Sequence, residues 1–260
     1  MKYALAVEYD GRAFSGWQIQ PDAPTVQAAL EIALARMAAH PVRAHAAGRT
    51  DAGVHASRQI VHFETTAERP LTAWVRGVNS FLPEGVAVLW ARAVPDAFHA
   101  RFCATARHYR YLVLQHPVRP ALLAGRVGWV HQPLDLDALR KAANLLLGTH
   151  DFTSFRAAEC QAPSPVKTLH RLDVHANGTL LTFDFSADAF LHHMVRNLMG
   201  SLLFVAKGAR EPAWMAELLA TRDRSAAAPT FMPDGLYLAG VSYPSEFGLQ
   251  SEPEPRHGLI

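Results

Sequence analysis

The stretch GRTDAGVHA, Gly48 to Ala56, sets a single carboxylate, Asp51, two residues after Arg49 and two before Gly53. A cation that close keeps a carboxylate ionised, and an ionised carboxylate presented on a loop can act as a nucleophile. Glycine admits positive φ, so the same residues also describe a purely structural tight turn. Two histidines follow, which makes Asp51, His55 and His62 a candidate ligand set for a metal-dependent hydrolase. The pattern for such an ion is poor. There is no HExxH, and on a helix the adjacent His192 and His193 would point about 100° apart. Serine and nucleotide chemistry have no footing either, because GxSxG, the Walker loop and GxGxxG are all absent.

Other side chains could complete a site around Asp51. Arg196 shares a helical face with His192, His193 and Gly200, inside an apolar segment where a buried arginine needs a partner such as Asp51. Tyr109 and Tyr111 fall on one face of their strand, where core packing is the plain role for at least one of them. Residues 97 to 134 carry Arg101, Arg107, Arg110, Arg119, Arg126 and four histidines without one Asp or Glu. Ile32 to Thr50 is also acid-free and holds Arg36, Arg43 and Arg49. Phe98, Phe102, Tyr109, Tyr111 and Trp129 are interleaved with the first set of arginines. Basic residues mixed with aromatics suit phosphates and unstacked bases, although arginines on a solvated face are the ordinary case.

The elements that must hold these residues follow from periodicity. Lys2 to Tyr9 alternates as a half-buried strand, and Pro24-Thr25 introduces a helix through Val26, Leu30, Ala33, Leu34 and Met37. Strands at Val42 to Ala47 and Gln59 to Phe63 flank the loop. A second helix over Leu71 to Leu82 and a strand at Val86 to Val94 complete the order βαββαβ. The second half repeats that order: a strand through Ala100 to Leu114, a helix at Asp135 to Leu147, a hairpin turning at Asn177-Gly178, a helix from Ala189 to about Lys207, a shorter one after Pro212, and a strand at Leu236 to Tyr243. The expected class is α+β, with two ferredoxin-like sandwich halves, residues 1–98 and 99–244, and an active-site cleft between them. A loose tail is expected over residues 245–260.

At 260 residues and 50% hydrophobic the chain can bury a large core. Its start, MKYALAVEYD, alternates like a strand, so no secretory leader is expected there. No apolar run reaches the roughly 18 residues that span a bilayer, and FLHHMVRNLMGSLLFVA is interrupted by His192, His193, Arg196 and Asn197. A cytoplasmic protein without a membrane segment is expected. Cys103 and Cys160 stand far apart, which indicates neither a disulfide framework nor a zinc ribbon.

Taken in order, GRTDAGVHA with QIVHF, FHARFCATARHYRYLV, DFTSF, FLHHMVRNLMG and DGLYLAGVSYP resemble the successive motifs of the tRNA pseudouridine synthase A family over about residues 3 to 244. The resemblance implies isomerisation of uridine to pseudouridine at positions 38, 39 and 40 of the tRNA anticodon arm, with no metal and no redox cofactor. It implies Asp51 as the catalytic aspartate and Arg49 as the arginine that helps displace the target base. It implies Tyr109 packed against the uracil and Arg196 paired with the aspartate. A homodimer with tRNA laid across both subunits is implied as well. The arginine-rich stretch from Arg101 to Arg126, with Arg107 and Arg110, is then expected to grip the phosphates. Cys103 stands where the family usually has serine, and Ala56-Ser57 differ from some relatives, none at a position with an assigned role. The alternative from another class is a non-catalytic RNA-binding protein or RNA chaperone on the same scaffold.

Overall fold

In the computed structural model, which describes residues 1–249, the predicted opening strand is β1, Lys2–Tyr9. It is followed by α1, Val26–Ala38, then β2, Ala44–Ala46, β3, His55–Glu64, and β4, Val86–Ala93. β1 pairs antiparallel with β3 and β4, and β2 antiparallel with β3, giving the order β4-β1-β3-β2 of a split βαβ sheet. The alternation of β1 predicts one buried face, yet Ala4, Leu5, Ala6 and Val7 are all buried. The small residues of the alternation are covered too. Thr25 caps α1 by accepting from the Ala28 N–H, and Leu30 and Leu34 go into the core. The second expected helix takes π form over Ala73–Gly77. Trp74 there is buried against Tyr3 and Phe63. A Cβ on Gly77 would stand 2.4 Å from Met37 Sδ, so this wide turn lies close on α1.

The second compact unit, Arg107–Leu236, runs strand-strand-helix, then three strands, then two helices, so it departs from the predicted repeat by two short strands, the second and third of the unit. Its strands are β5, Ala106–Gln115, β6, Gly128–Val130, β7, Gly148–Asp151, β8, Val166–Asn177, and β9, Leu180–Ala187. Its helices are α2, Leu136–Asn144, α3, Met194–Ala206, and α4, Trp214–Thr221. β9 lies antiparallel between β5 and β8, β7 pairs antiparallel with β8, and β6 parallel with β5. β5 begins six residues later than predicted, because Phe98 to Cys103 form turns. The hairpin loop is Gly178-Thr179, one residue beyond the predicted Asn177-Gly178, with Gly178 at φ +59°. α3 starts at Met194 rather than Ala189, and it is buried along most of its length.

The last strand, β10, Leu236–Ser242, runs parallel to β3 with Tyr237 opposite His55, and the chain from Tyr237 onward groups with Met1–Ala106 in the first unit. Of the tail expected over 245–260, Phe247 packs edge-on against Phe98 and Leu249 is buried; residues 250–260 lie outside the described residues. Both units carry helices packed on sheets, as the α+β class requires. No helix among the described residues is long and apolar enough to cross a membrane.

Two features of the first unit stand out, and the first of them holds the predicted site. The chain leaving β1 turns through a 3-10 segment, Gly11–Ala13, capped by Asp10, and lies directly against the Gly48–Val54 loop. A Cβ on Gly11 would stand 2.1 Å from the Val54 carbonyl oxygen, and one on Gly16 2.7 Å from that of Thr50. Farther along β3, His45, His62 and His99 form a ring cluster, with centroids 4.9 Å apart for His45 and His62 and 4.5 Å for His62 and His99. His62 is buried, and its Nδ1 accepts the Ala100 N–H at 3.1 Å. Burial first, then the neighbouring His99 and His45, pull its pKa down to about 4.

Both features are testable by equilibrium denaturation. Gly11→Ala forces backbone apart and is expected to cost about 1–3 kcal/mol. Gly48→Ala, whose Cβ would meet nothing within 4 Å, is expected to change stability by less than about 0.5 kcal/mol. His62 titrates near 6.5 in the unfolded chain and about 4 in the fold. The unfolded state therefore takes up the proton first, and the stability carried by neutral His62 is complete above pH 6.5 and lost as pH falls towards 4. The gap corresponds to about 3 kcal/mol. His62→Asn, which keeps an acceptor for Ala100, is expected to flatten this pH dependence.

Candidate active site

The loop between β2 and β3 is pinned at alternate points. Gln59 Nε2 donates to the Gly48 carbonyl at 2.7 Å, and Trp17 N–H donates to that of Thr50 at 3.0 Å. Thr50 is buried, and its hydroxyl lies 2.8 Å from the Tyr9 hydroxyl. Burial pushes the Tyr9 phenol up to about 12, so it stays a neutral hydrogen-bonding partner. With Thr50 drawn inward, its neighbours Arg49 and Asp51 are left exposed and half-buried respectively. Val54 N–H then closes a turn onto the Asp51 carbonyl at 3.1 Å, with Gly53 at φ +78° as the third residue of a type II turn requires. The turn and the presented carboxylate are one structure.

Sequence reasoning missed the residues that brace this turn: Tyr9, Gly11, Gly16, Trp17 and Gln59. Two glycines five residues apart immediately after a strand, in DGRAFSGWQ, were the available signal. Beside them Asp10 holds Arg12 through both carboxylate oxygens, which keeps its pKa down at about 2. His55 is a bracing residue too. Its Nδ1 accepts the Gly11 N–H at 3.1 Å, and its ring stacks on Tyr237 at 4.6 Å. The ligand set Asp51, His55 and His62 does not form. His55 and His62 are seven residues apart on one extended strand, roughly 23 Å at 3.3 Å per residue.

The other predicted site residues are spread over both units. Arg101, in the first, is exposed in the turn before β5 with its guanidinium 5.6 Å over the ring of Phe102. Phe102 is 75% exposed and stacks on His99. In the second unit β5 separates its two tyrosines by burial. Tyr111 is fully buried with its hydroxyl donating to the Met232 carbonyl, whereas Tyr109 is half-buried with its ring edge-on to Phe190. Arg110 is held by Asp184, directly opposite on β9, through Nε at 2.8 Å and Nη2 at 3.1 Å. Arg107 donates from Nη1 to the Asp188 carbonyl at 2.8 Å.

Arg196, on the first turn of α3, is half-buried and donates from Nε to the Phe231 carbonyl at 3.0 Å, while the Phe231 N–H donates to the Arg196 carbonyl at 3.1 Å. Gly200, one turn on, lets the same segment approach. A Cβ there would stand 2.1 Å from the Pro229 oxygen. Because α3 starts at Met194, His192 and His193 precede the helix, and the face predicted to join them to Arg196 reduces to Arg196 and Gly200. The histidines are held off the helix by the Ala157 N–H, which bonds the His192 carbonyl, and by His193 itself at φ +61°.

The profile of the family described as tRNA pseudouridine synthase matches residues 5–103 and 142–244. Arg107, Tyr109 and Arg110 fall in the interval between the two matched segments. The tRNA pseudouridine synthase A of Chromobacterium violaceum is 64% identical to this chain over 255 residues, covering 98% of this chain and 97% of that protein. Those of Methylobacillus flagellatus and Dechloromonas aromatica are 58% and 57% identical, covering 96% and 100% of this chain and 95% and 98% of theirs. With the braced aspartate loop inside the first matched segment and the Arg196 helix inside the second, the chain belongs to the tRNA pseudouridine synthase family.

Proposed function

We propose that this protein isomerises uridine to pseudouridine at positions 38, 39 and 40 of the tRNA anticodon arm, working in the cytoplasm as a homodimer. The observation that carries the reading is the Gly48–Val54 loop, a braced turn that presents Asp51 two residues from Arg49, in a chain 64% identical to a tRNA pseudouridine synthase A. The reaction breaks the bond from C1′ to N1, turns the uracil, joins C1′ to C5 and releases the C5 proton. It is redox-neutral with no net hydrolysis, so its balance calls for no redox cofactor.

Asp51 adds to the base, attacks C1′ or removes a sugar proton, and each of these requires the carboxylate in its ionised form. The bonds concerned are inaccessible in a stacked helix, so the uridine is flipped out at a cost of a few kcal/mol, and Arg49 fills the space it leaves. The detached base must be held away from water, which would otherwise capture the sugar. Of the two tyrosines on β5, Tyr111 is fully buried and Tyr109 only half-buried, so the role goes to Tyr109. We assign Arg196 to the Asp51 carboxylate, and Arg101, Arg107 and Arg110 to phosphates.

The test uses unmodified tRNA transcripts with uridine at 38, 39 and 40, incubated with the protein and mapped for pseudouridine by carbodiimide modification and primer extension. Pseudouridine at those positions, and none when all three are cytidine, is the expected result; modification only elsewhere, or none, overturns the reading. The arginines are separable by salt dependence. Arg101→Ala is expected to lower the slope of log affinity against log salt by roughly 0.7–0.9, one phosphate contact. Arg110→Ala is expected to lower it by less, because Asp184 already engages that guanidinium.

A further inference from the structure

We infer that the segment from Asp188 to His193 is a positioning device for Tyr109, and that Phe190 is the residue through which it acts. The inference rests on the assignment of Tyr109 to the uracil ring. The Tyr109 and Phe190 rings meet at 5.1 Å between centroids and 86° between planes, the edge-to-face arrangement that aromatic pairs favour. Tyr109 lies opposite Phe185 on β9, and the segment carrying Phe190 is the continuation of that strand.

What distinguishes this segment is how it is tied down on both sides of Phe190. On the near side Asp188 Oδ1 accepts the Thr168 N–H at 3.1 Å and that of Ala189 at 2.6 Å, Asp188 N–H bonds the Thr168 carbonyl, and Arg107 reaches the Asp188 carbonyl. On the far side Leu191 is buried, Ala157 N–H bonds the His192 carbonyl, and His192 N–H meets Cys160 Sγ at 3.3 Å. His193 then turns the chain into α3 at φ +61°. A non-glycine residue in the left-handed region persists only where its surroundings hold it there. Phe190 is half-buried between two anchors, with its ring on Tyr109.

The edge of Phe190 against the Tyr109 ring limits how far that ring can turn about its side-chain bonds. The uracil has to leave C1′, rotate and present C5, so the ring it rests on must keep one plane throughout. Holding that plane affects the chemical step and leaves the grip on tRNA unaltered. Arg107 acquires a second role in this account, since it ties the segment to β5.

The test measures single-turnover pseudouridine formation and tRNA affinity separately. Phe190→Leu keeps apolar volume without an aromatic edge. It is expected to fold with unchanged thermal stability, to slow the single-turnover rate roughly tenfold, and to leave tRNA affinity within about twofold of wild type. Phe190→Tyr, which restores the edge, is expected to recover most of the rate. In a Tyr109→Ala background Phe190→Leu is expected to add no further loss. A wild-type rate for Phe190→Leu, equal slowing by Phe190→Leu and Phe190→Tyr, a loss confined to affinity, or a full additional loss in the Tyr109→Ala background would each overturn the inference. A wild-type rate for Tyr109→Ala alone would instead remove the assignment of Tyr109 on which it rests.

Discussion

The candidate site depends on backbone lying directly on backbone. Gly11 and Gly16 have no side chain to hold off the Gly48–Val54 loop, and so the carbonyls of Val54 and Thr50 come to within a distance that a single Cβ would forbid. This contact lets Trp17 bond the Thr50 carbonyl, draws the Thr50 side chain to Tyr9, and leaves Asp51 on a turn closed by Gly53. Beside it the Tyr9 phenol is held well above its ordinary range and stays neutral, and His55 Nδ1 accepts the Gly11 N–H. Charge is left on the exposed Arg49 and the half-buried Asp51, with Asp10 and Arg12 neutralising each other alongside.

Much of this was legible from local sequence, for reasons that differ by residue. The Asp51 turn was readable because turn chemistry is short-range: arginine, aspartate and glycine within five residues specify it almost alone. Its bracing was not, because Gly11 and Gly16 matter only through residues some forty positions away. The burial of Tyr111 rather than Tyr109 was equally hidden, since both lie on one face and only the tertiary neighbours decide which is enclosed. His55 and His62 stand in the sequence as candidate ligands of poor pattern, and their spacing on an extended strand keeps them far apart. Each instead satisfies a backbone N–H, of Gly11 and of Ala100.

The fold divides in the same way. The βαββαβ order of the first unit follows from clear periodicities in β1, α1, β3 and β4. The three- and four-residue strands β6 and β7 carry too little pattern to be seen. The start of α3 was placed too early because Ala189 to Leu191 continue its apolar run, whereas hydrogen bonds to Ala157 and Cys160 hold the backbone of His192 outside the helix. The parallel pairing of β10 with β3 joins the chain near its end to His55 and Ala56, a contact no local window contains.

The most direct measurement of the central claim, that the loop exists to present an ionised carboxylate, is tritium release from tRNA labelled at uracil C5, under single-turnover conditions, by the wild type and by Asp51→Asn. Asparagine keeps the size and turn preference of aspartate and removes its charge. The account predicts rapid release by the wild type, and none by Asp51→Asn despite unimpaired tRNA binding. Release by Asp51→Asn at the wild-type rate would contradict it, and would reduce the braced loop to a structural turn.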